Sequence, residues 1–170
     1  MGTKNLALRG VICIKVEMEY IKISDASVPK NLLLEADPSE VKIGSYLPGA
    51  ICFAAIDNNE IVGVCVVQEI ATKTAEIFNI SINSRHQNKG IGSKLLQFTL
   101  SELENKGFSR IELGTGAFGY QLAFYHRHGF RVDSILKDYF INHYNHAIFE
   151  AGIQHKDRLR LYRETEKNTD

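Results

Sequence analysis

Between a short alternating apolar segment and a longer amphipathic one stand Arg85, His86, Gln87, Asn88, Lys89, Gly90, Ile91, Gly92 and Ser93. Residues of these types at this spacing suit an anion. A helix that starts at the glycines leaves its first N–H groups without internal partners, and its dipole puts positive charge there. Glycine lets a phosphate reach the backbone with no Cβ in the way. Arg85, His86 and Lys89 add local positive charge to a chain whose 20 basic and 20 acidic side chains cancel. The segment reads as a phosphate or pyrophosphate cradle, or else as a strand-to-helix turn whose glycines serve only packing. It is not a P-loop, because GxxxxGK[ST] is absent, and the run from Gly90 to Leu95 lacks the third glycine of GxGxxG.

The elements that must hold this loop follow from periodicity. Met18–Ile23 alternates as a first strand, and 27–46 reads as two short helices, or a helix and a loop, broken at Asp37-Pro38. Ala50–Ile56 and Ile61–Val67 are β-rich runs flanking Asp57-Asn58-Asn59-Glu60, good turn chemistry, and Thr74–Asn83 makes a third strand. From Asn88 to Lys106 the period becomes helical. Ile91, Leu95, Leu96, Leu100 and Leu103 share one face, and Gly107 stands where a helix ends. Phe108–Gly114 reads as a strand, Tyr120–His128 as a short helix, Phe130–Leu136 as another strand, and Asp157–Tyr162 as the last. The fold class is a mixed α/β sheet: an antiparallel N-terminal meander followed by a parallel strand–helix–strand centre. An antiparallel entry also disfavours a doubly wound dinucleotide fold.

Size and composition set the bounds. At 170 residues the chain suits one domain, able to bury about 70% of its unfolded surface. Residues 18–165 are expected to form it, with 1–17 as a leader, disordered or forming an added strand, and 166–170 as a tail. Zero net charge gives no global attraction to nucleic acid or an anionic membrane. Cys13, Cys52 and Cys65 lack CxxC spacing and suggest buried thiols in a reducing, cytoplasmic setting. The apolar piece at Val11–Ile14 is too short for a signal-peptide core.

Gln87-Asn88-Lys89-Gly90-Ile91-Gly92 resembles the Q/R-x-x-G-x-G/A motif of the GNAT superfamily of acetyl-CoA-dependent N-acetyltransferases. The strand from Ala75 to Ile82 resembles the fourth strand of that family. Phe124-Tyr125 followed by His128-Gly129-Phe130 resembles its YxxxGF signature, and the element order agrees from Met18 to Tyr162. The resemblance implies acetyl-CoA as co-substrate, no metal, and an amine of a small molecule or protein as acceptor. A homodimer is common in such folds. It places the pyrophosphate on the backbone of Gln87, Asn88, Lys89, Gly90, Ile91, Gly92 and Ser93, and the pantetheine arm beside Ile80, Ser81 and Ile82. The N–H of Ile80 would hold the acetyl carbonyl, a contact worth roughly 10²–10³ in rate.

Direct transfer needs a proton acceptor for the amine and a donor for the leaving thiolate. Glu76 is the candidate base: it matches a glutamate position in some relatives, and strict alternation puts it on one face with Phe78, Ile80 and Ile82. Tyr125 is the acid that the resemblance implies. The family's asparagine after its fifth strand is missing from Gly114-Thr115-Gly116-Ala117-Phe118-Gly119, where Thr115 offers a substitute hydroxyl. HxxxH spacing is absent, so His126, His128, His143, His146 and His155 read as solvated or hydrogen-bonded rather than as metal ligands. The charged run His155–Arg163 reads as an edge strand with a solvated face. The function expected is an N-acetyltransferase. Two other classes stay open: a non-catalytic acyl-CoA-sensing module and a nucleotide-binding protein of another fold.

Overall fold

A computed structural model of the protein describes residues 18–165. The leader expected over 1–17, the tail over 166–170 and Cys13 lie outside the described residues. In chain order the elements are β1 (Glu19–Ile23), α1 (Lys30–Ala36), α2 (Glu40–Tyr46), β2 (Ile51–Asp57), β3 (Glu60–Ala71), β4 (Thr74–Ile82) and α3 (Ile91–Asn105). They continue with β5 (Arg110–Gly116), α4 (Tyr120–Arg127), β6 (Arg131–Leu136), α5 (Tyr139–His143), the two-residue strands β7 (Phe149–Glu150) and β8 (Ile153–Gln154), and β9 (Arg158–Glu164). The segment 27–46 thus resolves as two helices. The turn between β2 and β3 holds Asn58 and Asn59 at φ 49° and 66°, the positive angles a primed hairpin turn requires.

Seven strands form one sheet in the order β1-β2-β3-β4-β5-β9-β6, antiparallel except for β4 and β5. The helix joining that parallel pair, α3, turns Ile91, Leu95, Leu96, Leu100 and Leu103 into a core shared with Phe53, Ile77, Ile111 and Tyr125 of α4. On the other face, α1 and α2 bury Leu32, Leu33, Ile43 and Tyr46 against Cys52, Val64 and Val66.

Two irregularities matter for function. In β4, Val66 of β3 pairs with Asn79 and the next residue, Val67, pairs with Ile77, so Phe78 is an extra residue in a bulge. Phe78 stacks on Tyr46 at 5.4 Å, and Asn79 Nδ2 donates to Tyr46 Oη and Leu33 O, each at 3.0 Å; both side chains therefore face α1 and α2. Alternation restarts there. Glu76 lies between Ala75 and Ile77, which pack toward α3, and so projects toward α1 and α2, whereas Ile80 and Ile82 pack toward α3. The expectation that Glu76 shares a face with Ile80 and Ile82 fails because of the bulge. Second, β4 and β5 pair only from Thr74↔Arg110 to Ile77↔Leu113, although both strands run further, and a gap opens beyond that point.

The run His155–Arg163 is not an edge strand. β9 lies between β5 and β6, its Leu159 and Leu161 are buried, and its arginines meet Glu76, Glu112 and Glu104. The edge belongs to β6, whose Arg131–Ile135 are all exposed. Among the described residues, no helix is long and apolar enough to cross a membrane.

Candidate active site

The β3–β4 ladder decides which backbone groups face the gap. Asn83 N–H donates to Val62 O at 2.8 Å, so bonds are exchanged at Asn83/Val62 and at Ser81↔Val64. The alternate residues, Ile80 and Ile82, direct their N–H and C=O away from β3 and into the gap. Gln87 Nε2 folds back to donate to Ile82 O at 2.9 Å, which fixes the following loop on the strand end. There Asn88 (φ 59°) and Gly90 (φ 78°) take left-handed conformations, and Gly90 offers no side-chain cap to α3. The first N–H bonded inside the helix is that of Lys94, to Gly90 O at 3.1 Å. The N–H groups of Ile91, Gly92 and Ser93 therefore stand open at the positive end of a 15-residue helix.

Gap and loop form one cleft of about 520 Å³, lined by Ile80, Ser81, Ile82, Gln87, Asn88, Gly90, Ile91, Gly92 and Ser93. Its other wall is α4, through Tyr120, Gln121, Phe124, Tyr125 and Arg127, and Glu35 and Ala36 at the end of α1 also reach it. Lys89 is exposed, and neither Lys89 nor Glu76 lines the cleft. Tyr125 is 7% exposed, set edge-on to Phe124 at 5.2 Å and Phe130 at 5.9 Å. Burial raises its phenol above the ordinary value of 10.0, so the group is held as a proton donor.

The face toward α1 and α2 carries a second constellation. Arg158 Nη2 donates to Glu76 Oε1 at 2.8 Å, and its guanidinium lies 5.0 Å from the Tyr139 ring. Lys42 Nζ sits 3.7 Å from the Tyr144 ring and donates to Tyr139 Oη at 3.3 Å, while Tyr144 Oη donates to Asp37 Oδ1 at 3.3 Å. The α1–α2 segment and the 137–146 segment thus meet on this face of the sheet.

The glycines of 114–119 find their reason here. A Cβ on Gly114 would overlap the Arg158 guanidinium, one on Gly116 the His155 ring, and one on Gly119 the Glu150 carboxylate. His155 is buried, stacked on Phe118 at 4.1 Å, and its Nε2 meets Glu150 Oε2 at 3.1 Å. Glu150 Oε1 accepts from the Tyr120 N–H at 3.3 Å, at the start of α4. Thr115 Oγ1 donates to Gln121 Oε1 at 3.2 Å and ties β5 to α4. Sequence reasoning missed Arg158, His155 and Glu150. The signal that could have found them is the glycine spacing, which marks where other side chains must lie flat. Among the described residues no group of three or more His, Cys, Asp or Glu is arranged to hold a metal ion.

Comparison with known proteins agrees with this fold. The profile of the Acetyltransferase (GNAT) family matches residues 23–130. The chain is 39% identical to the uncharacterized N-acetyltransferase YvbK of Bacillus subtilis over 133 residues, 78% of this chain and 86% of that protein. An IAA acetyltransferase from Bacillus cereus superposes with a TM-score of 0.84 at 40% identity, covering 88% of this chain and 100% of that one. A GNAT family acetyltransferase from Elizabethkingia anophelis, solved with acetyl-CoA bound, gives 0.83 at 35% identity, covering 89% and 100%.

Proposed function

The chain belongs to the GNAT family of acetyltransferases, and from that premise we propose that it transfers acetyl from acetyl-CoA to a primary amine of a small molecule or protein. The observation that carries this reading is the cleft in which the gap-facing Ile80 and Ile82, the open first turn of α3 and Tyr125 come together. The pyrophosphate lies on the N–H groups of Ile91, Gly92 and Ser93 with the Gln87–Gly90 backbone around it. The pantetheine arm runs along Ile80, Ser81 and Ile82 as an added strand, where β5 has left β4 unpaired. The N–H of Ile80 receives the oxygen that becomes negative as the amine attacks.

The thiolate leaves toward Tyr125, which gives it a proton. Glu76 is the terminal carboxylate for the proton lost by the amine. It lies one residue inside the last β4–β5 pair and is held by Arg158, so it works through an intermediate group. Two buried free thiols, Cys52 and Cys65, support a reducing cytoplasmic setting.

The test is calorimetric titration with acetyl-CoA, with desulfo-CoA and ATP as controls, followed by thiol release against a panel of amines. Binding with thiol release on particular amines is the expected result. Binding without release on any amine would leave a sensing module, and no binding of coenzyme A would end this reading.

A further inference from the structure

Ile80 lies three residues beyond the last β4–β5 pair, Ile77↔Leu113, and on the opposite strand Gly116 also lies three residues beyond it. The two positions therefore flank the gap. Gly116 has no side chain, and the ring that fills its place is that of His155, on the sheet face turned toward α1 and α2. A carboxylate only accepts hydrogen bonds, so the Nε2 that meets Glu150 at 3.1 Å carries the proton. In the neutral ring Nδ1 is then a lone pair. It is buried and has no partner among the described residues, in a side chain 8% exposed. A buried imidazole nitrogen without a partner calls for one.

Everything else about the pair is fixed. His155 N–H donates to Ile148 O at 2.9 Å, and the ring is stacked on Phe118 at 4.1 Å and tilted against Phe140 at 5.6 Å. Glu150 is anchored by the Tyr120 N–H, where the N-terminal end of α4 favours its charge. Glu76, by contrast, is four residues from Ile80 along β4, roughly 10–13 Å at strand rise.

We propose that His155, supported by Glu150, is the group that takes the proton directly from the acceptor amine. This rests on the acetyl-transfer reading above and names the base of that same site. The amine approaches from the face toward α1 and α2, gives a proton to Nδ1 and forms the N–C bond to the acetyl carbon. The C–S bond then breaks and sulfur leaves with its electron pair. Of the two protons that an ammonium acceptor loses overall, one ends on the thiol by way of Tyr125. The other passes from the imidazolium to water. The charged groups beside His155 are Glu150 on the hairpin and Arg158, two residues along β5 over Gly114; Phe118 and Phe140 cover it from the 116–119 loop and α5.

The experiment is His155→Gln in the full chain, assayed by thiol release from pH 6.5 to 10 with an amine that the wild-type protein acetylates, beside acetyl-CoA titration by calorimetry. The expected result is an unchanged acetyl-CoA Kd and a turnover loss of about 10²-fold near pH 7, shrinking toward wild type as the free amine accumulates at high pH. Glu150→Gln keeps an oxygen for the Tyr120 N–H and should show the same pH signature with a smaller loss; it serves if His155→Gln fails to fold. Wild-type turnover in either folded variant, or a loss equal at every pH, overturns the proposal. A wild-type chain that binds acetyl-CoA yet acetylates no amine overturns the acetyl-transfer reading itself, and the base assignment with it.

Discussion

Arg158 crosses β5 over the bare α-carbon of Gly114 to reach Glu76, joining the last strand to the fourth through a 2.8 Å ion pair. Gly114→Ala places a methyl group inside that guanidinium. The expected cost is about 1–3 kcal/mol of stability, the usual range for overpacking. Arg158→Met in the same background should recover part of it, because the methyl then meets a side chain that bends. Thermal or denaturant unfolding of the two single variants and the double gives the coupling, and strict additivity would show that the two residues do not meet.

Gly92 separates ligand binding from folding. A Cβ there would lie 3.5 Å from Ile82 Cγ1, an ordinary contact, and the backbone is helical. Gly92→Ala should therefore leave stability unchanged or raise it by up to about 1 kcal/mol through helix propensity. Acetyl-CoA affinity should fall at least about tenfold, or about 1.4 kcal/mol, if the pyrophosphate touches this turn. Calorimetry on the folded variant reads the affinity, and an unchanged Kd would move the phosphates elsewhere.

For Tyr125 the sign of the pKa shift makes a kinetic prediction. Burial raises the folded-state value above 10.0, so the phenol stays protonated at pH values where a free tyrosine begins to ionise. Any stability its neutral form contributes is likewise complete below pH 10 and is lost only as pH rises through the folded value. Turnover should show no decline from this group between pH 8 and 10. Tyr125→Phe should lower turnover with little change in acetyl-CoA affinity, and wild-type turnover in that variant would reject the donor role.

Glu76→Gln retains an oxygen for Arg158 but no longer accepts a proton. A terminal carboxylate reached through another group should matter less than a direct base, about tenfold where direct bases give 10²–10⁴. The effect should be strongest below neutral pH, where free amine is scarce. Equal rates from pH 6 to 9 would remove Glu76 from the proton path.

The thiols offer a check on the core. Burial pushes Cys52 up to about 11 and Cys65 up to about 12. Thiolate, the reactive form, is then at most about one part in 10³ at pH 8. In a Cys13→Ser background both should resist Ellman's reagent in the native state and react fully in guanidinium. Rapid reaction of either without denaturant would contradict the packing of β2 and β3.

What the sequence revealed and what it hid differ in physical range. The helical period from Ile91 to Leu103 and the glycines at its start are local signals, and the helix begins where they put it. The extra residue at Phe78 is invisible to alternation because it is set by the register of β3 against β4. Arg158 looked solvated because its partner, Glu76, is 82 positions away. The glycines at 114, 116 and 119 looked like a gap in a motif. They are the imprint of three side chains contributed 31 to 44 positions later.

The interior position of β9 carries a consequence for biogenesis. β5 and β6 are both synthesised before the strand that separates them, so neither can reach its final pairing until residues 158–164 have left the ribosome. Until then Glu76 lacks its Arg158 partner, and the half-built sheet offers an open slot between two strands. The β4–α3 side of the cleft can therefore be synthesised, and can begin to form, before the strand that brings Arg158 to Glu76 exists.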